Sequence, residues 1–154
     1  KHLNKKEICQ LLPHSGNMCL IDKIISWDST TLAVQTESHL NSNNPLRKQD
    51  FLSSIIGVEY AAQTMALHAA LLSQKDSQQE AGKQKQGGYL ATIRNLQIDA
   101  DYLCSPDSDN SAPLDISVLM LLRDSRGYSY EFTITADNNQ LLSGRLTIFL
   151  STNS

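Results

Sequence analysis

GVEYAAQTMALHAALL, residues Gly57 to Leu72, decides the fold. Alanine, leucine and valine fill it, and no lysine or arginine interrupts it. A run this apolar on every side reads as a helix enclosed by the rest of the chain. It starts after a cap at Ser53 or Ser54 and ends near Gln74. Yet it carries Glu59 and, one turn on, Gln63. A carboxylate hidden on such a helix would have its pKa raised by desolvation, which turns it into an acid near neutral pH.

The flanks say what encloses the helix. Asn4 to Leu12 reads as a short helix, with Asn4 and Glu7 as a capping-box pair and Pro13 as the stop. Met18 to Trp27 reads as an apolar strand, and Leu32 to His39 alternates as a half-buried strand should. The turn at Asp28 to Thr31 joins them as a hairpin. Asn41 to Pro45 is turn chemistry, and the chain to Leu52 is expected to be irregular. Beyond the long helix lie strands at Tyr89 to Tyr102, Leu114 to Asp124, Tyr128 to Asp137 and Leu141 to Leu150. Arg126-Gly127 and Asn138-Asn139 mark the turns. The order is α+β: one antiparallel sheet curling round one apolar helix whose alanines allow close approach. Residues 1–154 are expected to form one domain. The polar, repetitive stretch 75–88 is expected to be a mobile, dispensable loop within it.

Composition narrows the function. Hydrophobic residues make up 40% and charged ones 19% of 154, which suits a globular chain with a real core. A net charge of −3 and scattered basic residues argue against nucleic acid as partner. The longest wholly apolar run, Val118 to Leu122, is too short to span a membrane, and no apolar leader is read at the start. Cys9, Cys19 and Cys104 show no CxxC spacing, and the odd count fits a reducing cytoplasm. Cys9 and Cys19 are read as small buried apolar residues. No metal-ligand spacing, phosphate-binding glycine loop or GxSxG elbow occurs.

Three motifs in order resemble a known family. LLPHSGNMCLIDKI, Leu11 to Ile24, resembles the opening of the bacterial 3-hydroxyacyl-ACP dehydratases. Glu59 followed by Gln63 resembles their central helix, and YLATIRNLQI from Tyr89 resembles the strand after it. His39 to Arg47, followed by Gly57 to Gln63, is most similar to the dehydratase-like proteins of aryl polyene clusters. The resemblance implies the hotdog fold, one curved antiparallel sheet wrapped around a long central helix. It also implies a substrate carried on the phosphopantetheine thioester of an acyl carrier protein, and no other cofactor. The partner would be a second copy or another hotdog dehydratase.

One departure matters. The ordinary dehydratases carry their base in a Gly-His-Phe-Pro-Gly loop before the helix, where this chain reads LRKQDFLSS from Leu46 to Ser54. Removing water from a 3-hydroxyacyl thioester needs a base for the C2 proton and an acid for the hydroxyl. Glu59 is the candidate acid. His39, just before the loop, ranks first as base, with a structural role about equally weighted and Asp50 as an outside choice. His68 lies nine residues beyond Glu59, on the opposite helix face. His2 is set aside as near a frayed end, and His14 is favoured as a turn residue. Gln63 would orient Glu59 or a water; Gly57 and His14 complete the supporting set. Three functions stay open: a dehydratase, a non-catalytic hotdog subunit pairing with an active one, and an acyl thioesterase.

Overall fold

The structure, a computed structural model, describes residues 2–12, 18–76, 88–104 and 112–150. The stretch 77–87, expected to be mobile, lies outside them. Helix α1 (Lys5–Leu11) carries the expected capping box, in which Asn4 and Glu7 each take the other's backbone N–H. Strands β1 (Lys23–Trp27) and β2 (Thr31–Thr36) form the expected antiparallel hairpin. Its turn is built by Asp28, whose carboxylate accepts the backbone N–H and hydroxyl of both Thr30 and Thr31. Those donors hold its pKa down at about 2.

A two-residue strand, β3 (Leu52–Ser53), and a 3-10 turn lead into α2 (Gly57–Asp76). Then follow β4 (Gly88–Ile98), β5 (Tyr102–Cys104), β6 (Leu114–Asp124), β7 (Gly127–Ala136) and β8 (Asn139–Leu150). Six strands make one antiparallel sheet in the order β1-β2-β6-β7-β8-β4, and β3 pairs with β5 apart from it. The sheet curves around α2. In β7 the residues Tyr128, Tyr130, Phe132, Ile134 and Ala136 are buried and alternate with less buried ones from Ser129 onward, so one face meets the helix. Tyr60, Ala61, Met65 and Leu67 of α2 are fully buried in the same core. Each such apolar side chain contributes about 1.5–3 kcal/mol by leaving water. Gly57 is where the helix comes closest to the sheet. A Cβ there would meet Leu142 Cδ2 at 2.6 Å and Ile134 Cδ1 at 3.0 Å.

The segment Ser54–Lys75 is long and apolar enough to cross a membrane by composition alone. Here most of its surface is spent on the sheet. No other helix among the described residues meets that criterion.

Several expectations need correction. The first strand begins at Lys23 rather than Met18, because side chains from α2 and the β2 end hold the backbone of Met18 and Leu20 in place of a strand partner. His39 stands in a 3-10 turn (Ser38–Leu40), not at a strand end. The strand read from Tyr89 to Tyr102 breaks at Asp99 into β4 and β5, and the latter finds β3 in a stretch read as irregular. Cys9 and Cys19 are not free thiols: they form a disulfide with Cα atoms 5.7 Å apart. Helix α1 lays Cys9 against the chain entering β1, a tertiary contact that spacing does not reveal. The cysteine pattern therefore loses its force as a sign of a reducing compartment, since disulfides persist in oxidising ones.

Candidate functional site

The start of α2 sets the site. Glu59 is exposed, and with it Ile55; Ala62, Ala66, Ala69 and Ala70 are only half-buried. At 100° per residue these positions fall on one stripe of the helix. The sheet, α1 and the Met18–Leu20 segment pack on other sides of the helix and leave this stripe bare. The expectation that Glu59 is hidden, and made acidic by hiding, is thus corrected for the single chain. Among the described residues no side chain hydrogen-bonds it. It stands in the first turn of α2, at the positive end of the helix dipole, where a substrate carbonyl gaining negative charge would be favoured.

The neighbouring helix positions are committed elsewhere. Tyr60 is fully buried, and its hydroxyl lies 2.9 Å from Ser38 Oγ and receives a hydrogen bond from Asn44 Nδ2 at 3.0 Å. Burial pushes its pKa up. Gln63 is also buried. Its Oε1 accepts the N–H of Leu20 at 2.9 Å, and its Nε2 donates to the carbonyl of Met18 at 2.6 Å. Both ends of the amide are used on backbone, so Gln63 fastens the helix to the chain before β1 and does not orient Glu59.

The histidines divide as follows. His68 faces away from Glu59, as the helix geometry requires. Its Nε2 donates to the Asp28 carbonyl at 2.8 Å, and its Nδ1 accepts from the Tyr130 hydroxyl at 2.5 Å. His39 is 2% exposed and donates from Nε2 to the Ala112 carbonyl at 3.1 Å, leaving Nδ1 without a partner. Burial, seconded by the Arg47 guanidinium, pulls its pKa down to about 4. It is neutral at physiological pH but enclosed, and the structure does not bring it together with Glu59. His2 and Asp50 are exposed. His14 lies outside the described residues. The network of Tyr60, Ser38 and Asn44 escaped the sequence reading; the one signal was a Tyr hydroxyl on a largely apolar helix.

The pKa of His39 has a measurable consequence. The unfolded chain takes this proton near pH 6.5 and the folded chain only near pH 4. Stability tied to His39 is therefore whole above about pH 6.5 and drains away as the pH falls to about 4, by roughly 3 kcal/mol. His68, lowered mainly by burial, acts in the same direction. The urea midpoint of the wild type should fall more between pH 7 and pH 4.5 than that of His39→Asn. Equal falls would remove His39 from the acid response.

Bare apolar surface continues beyond the helix stripe. β4 is an edge strand of the sheet. Its Ile93 and Ile98 sit opposite the buried Leu146 and Leu142 of β8, so they point to the helix side, yet they are 40% and 50% exposed. Phe51 and Tyr102, rings 5.2 Å apart, and Ile55 extend this surface around the start of α2.

A family model described as ApeP-like, ApeP dehydratase, matches residues 6–154. No curated protein matches the chain. Among solved structures, the dehydratase heterocomplex ApeI:P from Xenorhabdus doucetiae is similar at a TM-score of 0.81 and 21% identity, over 99% of this chain and 94% of that one. The HP0420 homologue from Helicobacter felis matches at 0.62 and 11%, over 97% and 91%. A hypothetical thioesterase with coenzyme A from Streptococcus pneumoniae matches at 0.57 and 11%, over 85% and 86%. These likenesses establish the hotdog fold, as the sequence resemblance implied.

Proposed function

Because the chain belongs to the ApeP-like dehydratase family, we propose that it works as one subunit of a two-chain hotdog dehydratase. Its substrate would be a 3-hydroxyacyl thioester on the phosphopantetheine arm of an acyl carrier protein, in cytoplasmic polyene or fatty-acid synthesis. The bare stripe of α2, with β4 an edge strand among the described residues, supports this reading, because an exposed Glu59 on that stripe is open to a second chain. An edge strand with exposed apolar residues invites a second sheet. Once covered, Glu59 would stand in a water-poor site, the setting in which a carboxyl serves as a general acid.

Glu59 then protonates the departing C3 hydroxyl as water, while a base takes the C2 proton and the double bond forms between C2 and C3. The chain offers no base near Glu59 among its described residues, so the base would come from the partner subunit. A second copy would bring the same lack, whereas a different hotdog chain need not. The likeness to a heterocomplex supports that choice of partner. The buried, tied-down His39 also favours a plainer second reading, in which the chain only shapes and stabilises an active partner.

The test is to purify the chain alone and with a candidate hotdog partner, measure mass by light scattering, and assay both on 3-hydroxyacyl- and acyl-carrier thioesters. The expected result is a two-chain mass and enoyl product only with the partner. Full turnover by a single chain would refute the proposal, and release of free acid would point to a thioesterase.

A further inference from the structure

The Cys9–Cys19 bond sits at a junction that the dehydratase reading leaves unused. Residues Met18 to Leu20 precede β1 and have no strand partner, yet Cys19 and Leu20 are buried. Four hydrogen bonds converge on this short backbone. Gln63 of α2 takes the Leu20 N–H and donates to the Met18 carbonyl. The hydroxyls of Thr36 and Ser38 both donate to the Leu20 carbonyl. Ser38 in turn meets Tyr60 of α2. The segment therefore links β2, the turn holding His39, and Tyr60 and Gln63 of α2. Its covalent tie is the disulfide to α1. That helix has seven residues, too few to hold its shape alone. It is seated by the buried Ile8, the Lys5–Asp22 ion pair and the bond to Cys19.

We propose that Cys9–Cys19 is a thiol-exchange site that clamps the Met18–Leu20 segment under α2 and releases it when reduced. The co-reactant is a dithiol. Its thiolate attacks the half-buried Cys9 sulfur rather than the buried Cys19 sulfur, so Cys9 forms the mixed disulfide and Cys19 leaves as a thiolate. The second thiol of the reagent then displaces Cys9. Two electrons pass to the protein, which gains two protons and two thiols, while the dithiol becomes a disulfide. With the bond open, the segment loses its covalent tie to α1 and keeps its side-chain hydrogen bonds and the burial of Leu20.

The test uses the full chain and does not depend on turnover. Alkylated with iodoacetamide in denaturant, air-purified protein should gain one adduct, at Cys104, and reduced protein three. After dithiothreitol, hydrogen exchange at the Leu20 amide should speed up tenfold or more, while the Ile134 amide in β7 stays unchanged. The Cys9→Ser, Cys19→Ser double variant should show the fast Leu20 rate in both buffers. A thioredoxin-like dithiol lacking its resolving cysteine should be trapped at Cys9. Three adducts without reductant, an unchanged Leu20 rate after full reduction, or trapping at Cys19 would each overturn the proposal.

Discussion

Glu59→Gln is expected to lower turnover of the assembled pair by about a hundred to ten-thousand-fold, the usual contribution of a general acid or base. The exchange keeps the length and shape of the side chain and removes only the group that carries the proton. Glu59 is exposed in the single chain and its side chain has no hydrogen-bond partner among the described residues, so folding should be unaffected. Thermal unfolding of the unpaired variant should match the wild type. Light scattering should give the same two-chain mass, which separates lost chemistry from lost assembly. His39→Ala is expected to act differently. It opens a cavity at a buried site and removes the hydrogen bond to the Ala112 carbonyl, so it should cost stability first and turnover only through it. If Glu59→Gln leaves the activity of the pair unchanged, the chain is the shaping subunit, and the acid belongs to the partner.

How much of this was legible in the sequence depends on the range of the interaction. Helix α2 and strands β6 to β8 follow from apolar periodicity and from turn residues a few positions apart, which are local signals. The capping box of Asn4 and Glu7 is equally local and was read correctly. Glu59 was misplaced because a helix apolar on every face says only that something covers it. The sheet of one chain leaves a stripe open, and a sequence does not say whether its own strands or another chain's close it. The disulfide was missed for the same reason: ten positions along the chain do not reveal that α1 folds back on the entry to β1. His39 was placed at a strand end because β2 alternates up to Thr36, where the chain turns into a 3-10 coil that periodicity does not register.

Gln63 shows the cost of reading function from a motif alone, and it carries the second large prediction. Its amide spans a gap that would otherwise leave two backbone groups unmatched, the buried Leu20 N–H and the part-buried Met18 carbonyl. Gln63→Leu keeps the bulk and removes both bonds. An unmatched buried group costs about 1–3 kcal/mol and a part-buried one somewhat less, so the loss should be about 2–5 kcal/mol. For a chain of this size each kcal/mol moves Tm by about 2–4 °C, so the drop should be on the order of 10 °C. Gln63→Glu separates the two bonds. The carboxylate keeps the acceptor for Leu20 but sets a negative charge against the Met18 carbonyl, and only the protonated acid restores the donor. Folding would then raise the pKa of the new carboxyl, so the folded state would bind its proton more readily than the unfolded one. Relative to wild type at the same pH, this variant should regain stability as the pH falls below about 5, with Gln63→Leu showing no such recovery. A fastener predicts this pattern because the proton stands in for the lost amide hydrogen. An unchanged Tm in Gln63→Leu, together with lost turnover in the pair, would instead return Gln63 to aligning Glu59 or a water.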